Sequence, residues 1–199
     1  MMGFAWQALK SSVRLGLLFC LYLPFADLGL AAPTARFSVA TSSGSGASVP
    51  GVLKDSATGL YWQKCIFPQT WNPSSSACAT QNLPSGVPST SAVDWGSATF
   101  GNGYCTKMYG SAWRLPTLLE LRSLLDRSRV NPAIDSSFDP GSASGGSGIP
   151  DFFWTSNPVQ WLNQTGYAWT VNFYYGYVYF TSSTSNPYYL RCVSSTQPP

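Results

Sequence analysis

In the last third of the chain, aromatic and β-branched residues crowd together at strand density. Phe152-Phe153-Trp154-Thr155 and Ala168-Trp169-Thr170-Val171-Asn172-Phe173 read as two strands, because such side chains pack well on a pleated surface. Tyr174-Tyr175-Gly176 forms a turn into Tyr177-Val178-Tyr179-Phe180-Thr181, and Tyr189-Leu190-Arg191-Cys192-Val193 supplies a last strand. Alternation sets Tyr177 and Tyr179 on one face and Val178 and Phe180 on the other. Upstream the period changes. Leu118, Leu121, Leu124 and Leu125 recur at helical spacing, predicting a helix from Thr117 to Asp126. Thr117 and Glu120, three residues apart, form a capping box at its start. A second, weaker helix is expected from Ala92 to Phe100. Val52–Asp55 and Leu60–Gln63 flank the polar turn Ser56-Ala57-Thr58-Gly59 and predict a short hairpin.

Between these elements the composition shifts. Residues 32–50 are rich in Ser, Gly, Ala and Thr and read as a flexible lead-in. The domain is expected over 51–193, with 194–199 a tail. Residues 68–90 are loop-like, and the Gly/Ser-rich stretch Asp139–Pro150 is a surface loop. The order strand, helix, helix, strands gives an α+β fold with a C-terminal antiparallel sheet, not an alternating βαβ one.

The first 31 residues read as an export signal. Lys10 and Arg14 precede the apolar run Leu15–Leu23, Pro24 breaks it, and Gly29 and Ala31 fit cleavage after residue 31. The run falls short of the roughly 20 residues that span a bilayer, and no other segment is a candidate span. Beyond it nine basic and seven acidic side chains leave a net charge of +2, too small to argue for nucleic acid. Only 10% of residues are charged while 15% are aromatic, so Ser, Thr, Asn and Gly must keep the surface wet. A secreted, periplasmic or cell-surface protein fits.

Four cysteines remain after export, Cys65, Cys78, Cys105 and Cys192. Disulfides are their expected state outside the cytosol. Three pairings are open; the favoured one joins Cys65 to Cys78 as a local clip and Cys105 to Cys192. The chain holds no histidine, which removes imidazole as base or ligand and leaves no Ser/His or Cys/His nucleophile. Paired carboxylates for a glycosidase would have to come from a solvated loop, so no enzyme is expected. Cofactors are expected to be absent, calcium being the exception: Asp135, Asp139, Asp151 and Asn157 offer hard oxygen ligands, though in no recognised loop spacing.

Binding chemistry is better represented. Tyr174, Tyr175, Tyr177, Tyr179, Tyr188 and Tyr189 crowd the last hairpin, with Trp161 and Trp169 nearby, and a flat tyrosine face suits sugar rings or a protein partner. Arg122, Arg127 and Arg129, at and after the main helix, form a small basic patch suited to sulfate groups, against the plainer reading of a solvated face.

Four words of the sequence carry a family resemblance: Asp55–Cys65 (DSATGLYWQKC), Trp113–Asp126 (WRLPTLLELRSLLD), Phe152–Ser156 (FFWTS) and Tyr188–Val193 (YYLRCV). In this order they resemble the C-terminal domain family of the Legionella collagen-like adhesin. The Trp-Arg-Leu-Pro-Thr word is also similar to formylglycine-generating-enzyme-like and C-type-lectin-like domains, which implies a compact fold of that kind. The resemblance implies an exported bacterial module for adhesion, in some members through sulfated polysaccharide. The expected partner is therefore a glycan or an envelope protein. The alternative is a structural subunit that self-associates through its aromatic face.

Overall fold

A computed structural model describes residues 36–80, 82–99, 103–138, 151–160, 166–183 and 186–199. The expected export signal, the expected loop 139–150 with Asp139, and Trp161 lie outside these residues.

The chain opens with β1 (Phe37–Thr41), paired antiparallel with β2 (Ser48–Asp55). Over residues 36–50 the reading of 32–50 as a flexible lead-in is therefore corrected. Its small residues belong to the turn between the strands, where Ser42 N–H donates to Ala47 O at 2.7 Å. The strand itself is held by Phe37, edge-on to Phe138 at 4.8 Å, and by buried Ala40. A shift of register between Val39 and Ala40 breaks the strict alternation that would have revealed it. Residues 194–199 are likewise no loose tail. Pro198 O accepts from Ser43 N–H, and the Gln197 amide donates to Thr41 O.

The predicted hairpin forms between β2 and β3 (Tyr61–Gln63). Asp55 organises its turn, accepting from Ala57 N–H and the Thr58 hydroxyl. A two-stranded ribbon, β4 (Thr70–Asn72) with β5 (Ala77–Ala79), emerges from the region read as loop. Then come β6 (Ala92–Val93) and the short helices α1 (Trp95–Thr99), α2 (Gly103–Tyr109) and α3 (Leu118–Arg122). A single 3-10 turn, Ser136–Phe138, precedes β7 (Phe152–Pro158), β8 (Tyr167–Asn172) and β9 (Tyr177–Ser182). The predicted last strand divides into β10 (Tyr188–Tyr189) and β11 (Val193–Ser194).

One sheet has the order β1-β2-β3-β11 and the other β6-β10-β7-β8-β9. The segment Leu190–Cys192 crosses between them and is fully buried. Within it, Arg191 donates to the carbonyls of Gln63 and Lys64 and lies over the rings of Phe138 and Phe153. One buried cluster gathers Trp62, Leu121, Ile134, Phe138, Phe153 and Val171; the other gathers Phe67, Trp113, Trp154 and Leu190. The architecture is α+β, with sheets dominating and few helices. Both favoured disulfides form, Cys65–Cys78 and Cys105–Cys192, each with Cα atoms 5.6 Å apart.

Gly51 marks the irregular part of β2. Its φ is +89°, and an added Cβ would stand 2.4 Å from Cβ of Trp71. Trp71 also carries the Lys64 ammonium 3.8 Å above its ring. Gly51→Ala should therefore lower stability by about 2 kcal/mol or more, from strain and displaced packing. Denaturant unfolding checks this, and a neutral result would show that Trp71 moves freely.

Candidate functional site

The site grows from the capping box. Glu120 N–H donates to the Thr117 hydroxyl, and Thr117 N–H donates to Glu120 Oε2 at 2.7 Å. Arg114 adds a bidentate pair to the same carboxylate, at 2.7 and 2.8 Å. The Arg114 hydrogen bond is the main reason the Glu120 carboxyl is held down to about 2; partial burial opposes it and the Thr117 groups assist. That contribution to stability is complete above the ordinary glutamate range and fades as pH falls through about 2. Asn157, on β7, accepts from Leu118 N–H at 2.7 Å and pins the helix start against the second sheet.

α3 ends sooner than the leucine spacing predicts. Ser123 caps it, its hydroxyl donating to Glu120 O at 2.7 Å. Leu124 is buried without needing helix, and Leu125 instead bridges to Ile134. The chain then turns through Asp126, whose carboxylate accepts from Ser128 N–H and hydroxyl. Two backbone bonds fasten this loop to the β8–β9 hairpin: Asn131 N–H to Tyr174 O at 2.8 Å, and Ala133 N–H to Phe173 O at 2.6 Å. In the hairpin turn, Asn172 accepts from Tyr175 N–H through its side chain and from Gly176 N–H through its backbone. The loop bearing arginines and the turn bearing tyrosines are therefore one hydrogen-bonded unit.

Between them lies an open cleft of about 710 Å³. It is lined by Leu118, Arg122, Leu125, Arg127 and Arg129 from α3 and the loop after it, and by Trp169, Tyr175, Tyr177 and Val178 from the β8–β9 hairpin. Among the described residues the ion pairs are Arg36–Asp55 and Arg114–Glu120, so the cleft's guanidinium groups have no carboxylate partner there. Tyr175 is 65% exposed and lies nearly parallel to Tyr177, with centroids 6.3 Å apart. Tyr174 supports it edge-on at 4.4 Å.

The sequence-predicted residues thus separate into groups. Arg122, Arg127, Arg129, Tyr175 and Tyr177 come together at the cleft. Tyr174 stands behind it as a support. Tyr179 does not line it, and Trp161 lies outside the described residues. Of the calcium candidates, three lie among the described residues. Asp135 accepts from Ser137 N–H, Asn157 is engaged in capping α3, Asp151 is exposed, and Asp139 is not described. No group of three or more His, Cys, Asp or Glu side chains able to hold a metal ion forms among the described residues. Trp169, expected near the tyrosine cluster, lines the cleft as well. A second cleft, about 580 Å³ and lined by Trp95, Thr99, Thr106, Arg114 and Ser156 among others, was not foreseen at all.

The model of the Lcl C-terminal domain family matches residues 51–194. The chain belongs to that family. The match covers the whole arginine–aromatic cleft and both disulfides, while β1 and the start of β2 precede it. No curated protein and no solved structure gives a match. Membership of the Lcl C-terminal domain family suggests an adhesin-related surface module, and the two disulfides fit a location outside the cytosol. Among the described residues no helix is long and apolar enough to cross a membrane.

Proposed function

We propose that this protein is a secreted or surface-exposed adhesion module that binds an anionic, sulfated polysaccharide in its arginine–aromatic cleft. The observation that carries the reading is the convergence of Arg122, Arg127 and Arg129 on Trp169, Tyr175 and Tyr177. Guanidinium forks match the oxygens of a sulfate group and bind them bidentately. The neighbouring rings offer apolar faces to the sugar between sulfates. The scaffold is read as C-type-lectin-like, supported by the Trp113–Thr117 word and the paired disulfides.

The test is heparin-fragment binding by calorimetry. The double variant R127Q/R129Q should weaken affinity by about tenfold or more while leaving the melting temperature unchanged, and the remaining binding should fall with added salt. Undiminished affinity in the variant would remove the cleft from the account.

A further inference from the structure

Tyr179 belongs to a different surface. Strand pairing aligns Phe152 with Asn172 and Tyr177, and Trp154 with Thr170 and Tyr179, so these side chains share one side of the second sheet. On the middle strand the residues are short and spent locally: the Thr170 hydroxyl donates to Tyr179 O, and the Asn172 side chain accepts from Tyr175 N–H. Rings from the strands on either side therefore close over β8. Phe152 reaches Tyr177 at 6.1 Å and Tyr179 at 6.3 Å, although a whole strand lies between, and Thr170 and Asn172 are buried beneath. On the other side Phe152 stacks on Tyr188 at 4.9 Å. The result is a continuous aromatic platform from β10 to β9, with phenol groups at its margin.

Charge distinguishes this platform from the cleft. The carboxylate that acts on it is Asp151; after partial burial, it heads the charged and phenolic neighbours that push the Tyr177 phenol upward. Asp151 is exposed and adjoins Phe152, so an anionic chain is disfavoured over the Phe152–Tyr179 part of the platform, away from the cleft arginines. Area argues against a second copy as the occupant. Of the platform rings, Tyr177 and Tyr179 are 41% and 51% exposed; at about 200 Å² per ring they offer roughly 200 Å². A stable protein interface takes about 800 Å² from each partner. A short oligosaccharide needs far less.

We propose that this platform is a second glycan site, taking a neutral polysaccharide laid across Tyr177, Tyr179 and Phe152. It meets the sulfate-binding cleft at Tyr177 but is centred on Tyr179 and Phe152, outside the cleft lining, and neutral-polymer binding is read apart from heparin binding. The experiment uses the chain from residue 32 to 199 in affinity electrophoresis through cellulose, chitin, laminarin, a mannan and a galactan, at low and high salt, with heparin binding measured alongside. The expected result is retardation by at least one neutral polymer that persists at high salt. Y179A should weaken it about tenfold while heparin binding is unchanged. Should Y179A unfold, Tyr179→Leu keeps apolar cover over Thr170 but removes the flat ring, and the same loss is expected. Retardation by none of the polymers, or retardation of the folded variants equal to that of the wild type, overturns the proposal. So do Tyr179-dependent dimers in sedimentation without glycan binding, which would make a second copy the occupant.

Discussion

Replacing Cys105 and Cys192 together by alanine should lower the stability of the folded domain by about 4 kcal/mol, on the loop-entropy scale for a crosslink of this span. For a domain of this size that corresponds to a fall in melting temperature of roughly 8–16 °C. The bond closes a loop with a sequence separation of 87 residues, whereas Cys65–Cys78 closes one of 13. It also fastens α2 to Leu190–Cys192, the segment that crosses between the two sheets. Cys105 and Cys192 are both buried, so replacement further loses packing on each side. The short clip, removed alone, should cost less than the long one, and calorimetric unfolding of both variants gives the order. A reversed order would place the stabilising crosslink in the β4–β5 ribbon instead.

The second large effect is expected at Arg36. Its guanidinium makes a bidentate pair with fully buried Asp55 and also donates to Ser123 O at 2.7 Å, the cap of α3. One side chain thereby ties β1, the β2–β3 turn and the helix that carries the cleft. Arg36→Ala leaves a buried carboxylate without its counter-charge, a loss of about 3–5 kcal/mol. The pH dependence separates this from lost packing. Burial alone would push the Asp55 carboxyl up, but Arg36, Thr58 and Ala57 N–H outweigh it and hold it below its ordinary value. The wild-type contribution is thus present above the ordinary aspartate range, about 3.9, and is lost as pH falls below it. In the variant burial prevails, and protonation relieves the site. The deficit should therefore be greatest at neutral pH and shrink on acidification, and R36A/D55N should recover part of it. A deficit independent of pH would contradict the ion-pair explanation.

Local signals were legible where chemistry is local. Thr117 and Glu120 announced the helix start because a capping box needs only residues three apart, and all its bonds are present. The Val52–Asp55 and Leu60–Gln63 hairpin was visible for the same reason. Elements held from a distance were not. β1 was hidden by the small residues of its own turn and by the register shift at Val39, and its anchor, Arg36, depends on Asp55, 19 positions away. α2 offers no apolar period in Gly103–Tyr109, so the disulfide partner Cys105 was visible without the helix that carries it. Tyr189–Val193 reads as one strand, yet buried Arg191 and Cys192 make it a crossover serving both sheets.

The cleft shows the same division. Its arginines and tyrosines were each recognisable as binding chemistry, but as two unrelated patches. Their union rests on Asn131 to Tyr174 and Ala133 to Phe173, backbone bonds that no periodicity encodes. Tyr177 and Tyr179 share a face as alternation predicts, and the register of β9 against β8 carries that face across to Phe152, leaving Tyr177 at the border with the cleft.

Titration of the ¹⁵N-labelled domain with a heparin hexasaccharide, following arginine Nε–H and tryptophan indole signals by NMR, tests the central claim most directly. The account predicts saturable shifts at Arg122, Arg127, Arg129 and Trp169, with Arg36, Arg191 and buried Trp62 unmoved. Shifts that bypass the three cleft arginines, or no shifts at all, would contradict it.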